Sequence, residues 1–313
     1  MKKVIVIYLV SIIALFFLPI CMIKEYDIDE NKNAENPKTI KLLLSETNQV
    51  IEMTLDEYIM GVIVGEMPVN YELEALKAQA IVARTYTLNK IINSESPHDV
   101  ADMCDDINHC QAYKTKEYAL AAWDDSNEND KWNKIKKAVL ETSNVVITYD
   151  DELINAFFHS NSGGKTEDIS NIWGHENIPY LRSVESPEKE LIFESVWMSV
   201  KELEKIMKEK YENYISFEGD KYIEIIELNS SGRVSKVKIS NIILDGTEAR
   251  DLFRLRSTFF SVKQEEENII FETKGYGHGI GMSQYGANEM AMRRKNVWRN
   301  NKILLYRSGI KKL

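Results

Sequence analysis

"GEMPVNYELEALKAQAIVARTYT", from Gly65 to Thr87, places one carboxylate, Glu66, beside a proline and just ahead of a long helical pattern. Leu73, Leu76, Ala80, Ala83, Thr87 and Ile91 recur at three- and four-residue spacing. That spacing predicts a helix with one buried stripe, and Asn70 is its expected N-cap. Lys77 and Arg84 are seven apart and so share a face beside the stripe. Just upstream, Thr54 and Glu57 stand at capping-box spacing, so a shorter helix starts there and ends near Gly65. Glu66 is thereby expected at the junction of two helices, as either a solvated turn acid or a working group.

Outward from this pair, "TIKLLLSE" and "QVIEMT" read as strands about a Thr47–Asn48 turn. "DKWNKIKKAVLETSNVVITYDDELINAFFHS" reads as helix, strand, a turn at Asp150–Asp151 and a second strand. From about 187 to 264, "VKELEKIMKEKYENY" is followed by the strands "KYIEIIEL", "VSKVKIS" and "NIIL", a pattern that suits an inserted lobe. No internal repeat is visible. The expected fold class is α+β. A mixed helix/strand core over residues 39–313, with an inserted α+β lobe at 187–264, follows one N-terminal transmembrane helix.

That helix rests on Val4–Ile23, an uncharged apolar run preceded by Lys2 and Lys3. Twenty residues at helical rise span about 30 Å, the thickness of a bilayer's hydrocarbon core. The leading lysines predict an inside N-terminus and a body outside the membrane. A cleaved signal peptide would need a small-x-small site after the run, and none follows. Cys21 lacks the small residue that usually precedes a lipidated cysteine. Residues 1–24 are thus expected to anchor a single-pass protein in the cell membrane. The polar, Asn-rich residues 25–38 are its expected stalk. With a net charge of -10 the chain offers no basic field, which argues against nucleic acid as a partner.

Three clusters stand out. "HDVADMCDDINHC" holds His98, Cys104, His109 and Cys110 within thirteen residues. These ligand types suit tetrahedral zinc, and with all four positions filled the site would be structural. A Cys104–Cys110 disulfide or a pair of free thiols are the alternatives. "HSNSGGKT", His159 to Thr166, ends like a phosphate-binding loop but has His159 where a glycine is needed and no clear following helix. Its Ser162-Gly163-Gly164 turn reads instead as a tight approach to a ligand or another segment. "KGYGHGIGMSQYGANEMA" packs five glycines around His278, Ser283, Gln284 and Tyr285, either as a pocket-lining loop or as a glycine-rich corner.

In order along the chain, "VGEMPVNYELEALKAQAIVARTYT", the "HDV…D…CQAY" segment, "FFHSNSGGKTEDISNIWG…PYLRSVESP", "LDGTEARDLFRLRST" and "GYGHGIGMSQYGA" resemble the stage II sporulation protein D family. Its members are membrane-anchored lytic transglycosylases of the engulfment machinery. The resemblance covers about residues 39–288 and implies cleavage of peptidoglycan between N-acetylmuramic acid and N-acetylglucosamine, with a 1,6-anhydro product. It implies strands already stripped of stem peptides, and hence a sporulation amidase and a polytopic membrane protein of the engulfment machinery as partners. The localisation implied is the mother-cell membrane facing the forespore. By position in the motifs, Glu66 matches the catalytic acid, while Lys77, Arg84, Tyr180, His278, Ser283 and Gln284 match substrate-binding positions. No cofactor is required for the chemistry. The basic end, "AMRRKNVWRNNKILLYRSGIKKL", departs from the family's pattern and is expected to be remodelled or loosely packed.

One carboxylate suffices for such a reaction. Hydrolases usually need two, but here the muramic acid's own C6 hydroxyl attacks C1 at high effective concentration. The acid must start protonated near neutral pH, so its pKa must be raised, for which Val62, Val64, Met67 and Pro68 could supply an apolar wall. A cation beside Glu66 would work against this, so Lys77 and Arg84 are expected along the groove. Relatives described as amidase enhancers keep open a non-catalytic wall-binding reading. A zinc peptidase or amidase using His98, Cys104, His109 and Cys110 is a third.

Overall fold

The computed structural model describes residues 39–93, 98–123, 126–174, 178–189, 191–217, 221–293 and 308–313. The anchor expected over 1–24 and the stalk expected over 25–38 lie outside these. Among the described residues no helix is long and apolar enough to cross a membrane.

β1 (Thr39–Leu44) and β2 (Gln49–Thr54) form an antiparallel hairpin, with Asn48 at positive φ (55°) in the turn. Thr54 then opens α1 (Leu55–Glu66). Its hydroxyl accepts from the Glu57 N–H at 3.2 Å while the Glu57 carboxylate accepts from the Thr54 N–H at 2.8 Å, the reciprocal cap expected.

α2 (Leu73–Ile92) departs from expectation twice. Its N-cap is Glu72 rather than Asn70, and the Glu72 N–H is taken by the Asn288 side chain at 2.8 Å, a partner that local sequence does not reveal. It is also buried on nearly every side, not along one stripe. Ala75, Ala78, Ala80 and Ala83 are small enough for neighbours to close in all round.

β3 (Met103–Cys104) pairs parallel with β1. α3 (Lys116–Trp123) and α4 (Glu128–Leu140) lead to the hairpin of β4 (Val145–Tyr149) and β5 (Glu152–Leu153), turned by Asp150 and Asp151 at φ 49° and 66°. β6 (Phe158–His159) and the short α5 (Ile169–Trp173) follow.

The next stretch comprises β7 (Phe193–Ser199), α6 (Val200–Lys210), β8 (Ile223–Leu228), β9 (Val234–Ile239), β10 (Ile242–Asp245), α7 (Gly246–Leu252), β11 (Phe260–Glu265) and β12 (Asn268–Lys274). Its strands form two three-stranded sheets, ordered β10-β9-β8 and β11-β12-β7. They enclose a core of their own around Leu203, Met207, Val237, Ile239, Ile269 and Phe271. The chain then returns through the glycine loop to β13 (Met282–Ser283), parallel to β6, and α8 (Gln284–Met292). Finally β14 (Gly309–Lys312) pairs with β4. The last residues therefore extend the β14-β4-β5 sheet instead of packing loosely. The rest of the basic tail, 294–307, lies outside the described residues.

The two cores are joined by buried charge. Arg233 and Glu167 are both fully buried, with Nε 3.5 Å from Oε2. Arg233 Nη2 also donates to the Ser162 and Lys165 carbonyls at 2.7 and 3.0 Å. The Glu167 carboxylate accepts from Ser231 Oγ and Asn229 Nδ2, each at 2.8 Å. Helices and sheets are thus mixed throughout the fold.

Candidate active site

Glu66 ends α1 and is half-buried. Two glycines one turn apart on α1 decide what lies against it. A Cβ on Gly61 would stand 2.1 Å from the Tyr113 ring, and one on Gly65 would stand 2.8 Å from the Ala112 carbonyl carbon. Only glycine lets the 111–114 segment lie this close to the helix. Once seated, the segment bonds to α1. The Lys114 N–H donates to the Gly61 carbonyl at 3.1 Å, and the Ala112 N–H donates to Glu66 Oε1 at 2.7 Å. Tyr113 stacks on Tyr58 with ring centroids 5.9 Å apart.

Glu66 thus exchanges much of its water for one backbone donor. Burial pushes its carboxyl up to about 7, opposed only in part by the Ala112 N–H. An acid so placed can both give and take a proton near neutral pH. Of the expected wall, Val62 and Met67 are buried, Val64 is half-buried against the same core, and Pro68 is exposed. The glycine pair was the sequence signal for this contact; nothing local marked Ala112.

Lys77 and Arg84 do share a face, and that face abuts the end of α4. Lys77 Nζ lies 2.7 Å from both Glu74 and Glu141. Arg84 is buried; Nη1 donates to the Thr142 carbonyl at 2.7 Å, and Nη2 donates to Asp56 Oδ1 at 3.0 Å and the Val139 carbonyl at 3.3 Å. A cation here meets the carbonyl end of α4, a favourable place for positive charge. Arg84 is therefore engaged inside the protein rather than lining an open groove. Its partners lie far along the chain, which is why spacing alone pointed elsewhere. Tyr180 is half-buried, its hydroxyl accepting from the Asn155 N–H at 3.3 Å.

The glycine loop approaches the Ser162-Gly163-Gly164 turn backbone to backbone. Gly275, at φ 82°, leaves no room for a side chain, since a Cβ would stand 2.8 Å from the Asn161 carbonyl oxygen. His278 Nδ1 accepts from the Ile280 N–H at 3.1 Å, and its ring packs 5.5 Å from Trp173 and 5.7 Å from His159. Burial, aided by Arg250 and Arg233, pulls His278 down to about 4, so it is neutral at physiological pH.

Ser283 and Gln284 are buried and committed to the fold. Ser283 caps α8 by accepting from the Gly286 N–H at 3.2 Å, and it donates to the Glu188 carboxylate. Gln284 Nε2 donates to Gln79 Oε1 at 3.4 Å. Glu188, which no sequence pattern marked, also accepts from the Ser162 N–H at 2.9 Å, Ser162 Oγ at 2.7 Å and the Gly164 N–H at 3.2 Å. One carboxylate thereby ties the two motif loops together.

His98, Cys104 and His109 each bring a ligand atom within 4.8 Å of the others. The fourth expected ligand, Cys110, is not part of that triad. Its Sγ is 3.7 Å from Lys90 Nζ and faces Cys104. Both cysteines are free thiols, so the disulfide alternative is not realised here. A triad of two imidazoles and a thiol, with a second thiol alongside, fits the soft donors and tetrahedral preference of zinc. The cluster runs directly into the 111–114 segment that holds Glu66.

A family model described as stage II sporulation protein matches residues 44–149, which contain Glu66, Lys77, Arg84 and the Cys/His cluster. A second, described as a domain of unknown function, matches 194–281. The amidase enhancer of Bacillus subtilis (strain 168) is 28% identical, aligned over 74% of this chain and 37% of its own. Stage II sporulation protein D of Bacillus subtilis (strain 168) is 33% identical over 84% of this chain and 76% of its own. That of Bacillus amyloliquefaciens is 35% identical over 87% and 80%. With such likeness running over most of both chains, this chain belongs to the stage II sporulation protein D family.

Proposed function

We propose that the chain is a lytic transglycosylase that cuts peptide-stripped peptidoglycan strands between N-acetylmuramic acid and N-acetylglucosamine. The observation that carries the reading is the half-buried Glu66, whose carboxyl burial raises to about 7. Protonated, Glu66 gives its proton to the glycosidic oxygen as the C1–O bond breaks. As carboxylate, it then takes the proton from the C6 hydroxyl while that oxygen bonds to C1, closing the 1,6-anhydro ring. The acid ends as it began, and neither water nor a cofactor is consumed. Lys77 and Arg84 are held by Glu74, Glu141 and Asp56, so neither cation is directed at the acid. In this reading Tyr180 and His278 flank the strand, while Arg84, Ser283 and Gln284 shape the site from within.

Mass spectrometry of products from peptide-free glycan strands tests this. Anhydro-ended fragments are expected from the unmodified protein and none from Glu66→Gln. Anhydro products from the Gln variant would rule out Glu66 as the acid. A second reading, a wall-binding protein that stimulates an amidase, is favoured by the likeness to the amidase enhancer. Binding without any cleavage would select it.

We further propose that His98, Cys104 and His109, with Cys110 completing the set, hold a structural zinc ion. Such an ion would clamp the turn before Gln111 and supply no step of the reaction. The body is proposed to work outside the membrane, on the mother-cell side facing the forespore, anchored by residues 1–24. Its proposed partners are a sporulation amidase, which prepares the bare strands, and a polytopic membrane protein of the same machinery.

A further inference from the structure

Residues 194–281, matched by the family model described as a domain of unknown function, and the adjoining Phe193 have one face that their own core does not explain. In the β11-β12-β7 sheet, Val196, Met198, Phe271 and Ile269 turn toward the second core. Register and alternation then put Phe193 opposite Lys274, Ser195 opposite Glu272, and Trp197 opposite Ile270 on the other face. Ser261 and Lys263 extend that face on β11. Phe193 is 68% exposed and Trp197 62% exposed, on a strand at the edge of its sheet. Four residues along a strand separate the two rings by about 13 Å. They would therefore meet different units of one extended ligand.

The chemistry of the face favours a polysaccharide. A stable protein interface needs about 800 Å² from each partner with a contiguous apolar centre. Here Ser195 separates the rings, and Glu272 and Lys263 are paired with each other at 2.7 Å beside them. A sugar ring is itself amphipathic: its C–H face lies flat on the electron-rich face of an aromatic ring while its hydroxyls reach polar neighbours. Lys274 Nζ sits 4.7 Å above the Phe259 ring and, among the described residues, meets no carboxylate. It is a cation available to an acidic sugar. β12 also runs straight from this face into the glycine loop that carries His278.

We propose that Phe193, Trp197 and Lys274 form a second glycan-binding surface, apart from Glu66, which holds a wall strand carrying carboxylates. The identity of the polymer rests on the glycan reading above; the existence of the surface does not depend on cleavage.

The test uses the full-length chain in detergent micelles, with peptide-stripped glycan strands of long and short length as probes. Phe193→Ala/Trp197→Ala is expected to bind long strands about tenfold more weakly, a difference of about 1.4 kcal/mol, because both ring contacts are lost. The preference for long over short strands should fall with it, and the thermal midpoint should hold because both side chains are exposed. Lys274→Gln should lower the salt dependence of strand binding. Unchanged strand affinity in the double variant would overturn the proposal. So would a loss confined to anionic phospholipid vesicles, which would assign the rings to the membrane surface. If the unmodified protein binds strands through these residues but releases no anhydro product, this surface stands and the transglycosylase reading falls. If it cleaves normally while the double variant shows unaltered binding, the reverse holds.

Discussion

A carboxyl held near 7 is partly protonated at neutral pH, which has consequences for both rate and stability. Protonated Glu66 is the form that starts the proposed reaction, so turnover is expected to fall as pH rises through about 7, a limb that pH–rate measurements would locate. Glu66→Gln should lower turnover by at least about 100-fold, to a level at which no anhydro product is detected. The linkage has a definite sign. The folded value lies above the ordinary 4.5, so the protonated group's contribution to stability is complete below about pH 4.5 and is lost as pH rises through about 7. Chemical denaturation of the unmodified protein and Glu66→Gln at pH 5 and pH 8 checks this. The Gln variant should gain relative stability at the higher pH, and a constant difference would show that Glu66 is not desolvated. Arg84 answers to a different measurement. Arg84→Met removes the partner of Asp56 and of the α4 carbonyls, with an expected loss of about 2–3 kcal/mol of folding stability.

At the scale of elements, the decisive contact is between α1 and the 111–114 segment. Gly65→Ala would drive a methyl into Ala112 and displace the N–H that Glu66 accepts. Because that bond lowers the carboxyl's pKa, losing it should move the alkaline limb of the pH–rate profile upward while turnover falls. A fall in turnover with the limb unmoved would mean that the segment does not set the acid. The Cys/His turn immediately precedes this segment. If it holds zinc, metal analysis should find about one ion per chain, and chelation should lower the thermal midpoint together with activity. Loss of turnover without loss of the fold would instead favour the zinc hydrolase reading. Several elements were legible beforehand because their determinants are local: the Thr54/Glu57 cap and the Asp150–Asp151 turn are set by neighbours within a few residues. The N-cap of α2 was not, because Asn288 satisfies Glu72 from the other end of the chain.

Across the whole molecule, the buried Arg233–Glu167 pair joins the two cores. Arg233→Met would strand a carboxylate away from water and should cost about 3–5 kcal/mol, read as a lower denaturation midpoint. Adding Glu167→Leu should recover part of that loss, because the stranded charge goes with it. By itself, the sequence determined the family, the mixed helix and strand class, and Glu66 as the residue to watch. Ordered motifs, capping residues and glycine spacing act over short distances and survive without knowledge of the fold. Only the tertiary structure decided that Arg84, Ser283 and Gln284 are spent on packing, that Ala112 supplies the bond to Glu66, and that two aromatic rings on β7 face outward. Those outcomes depend on which distant segment removes water from each side chain, and desolvation is a property of the folded assembly rather than of any local stretch of chain.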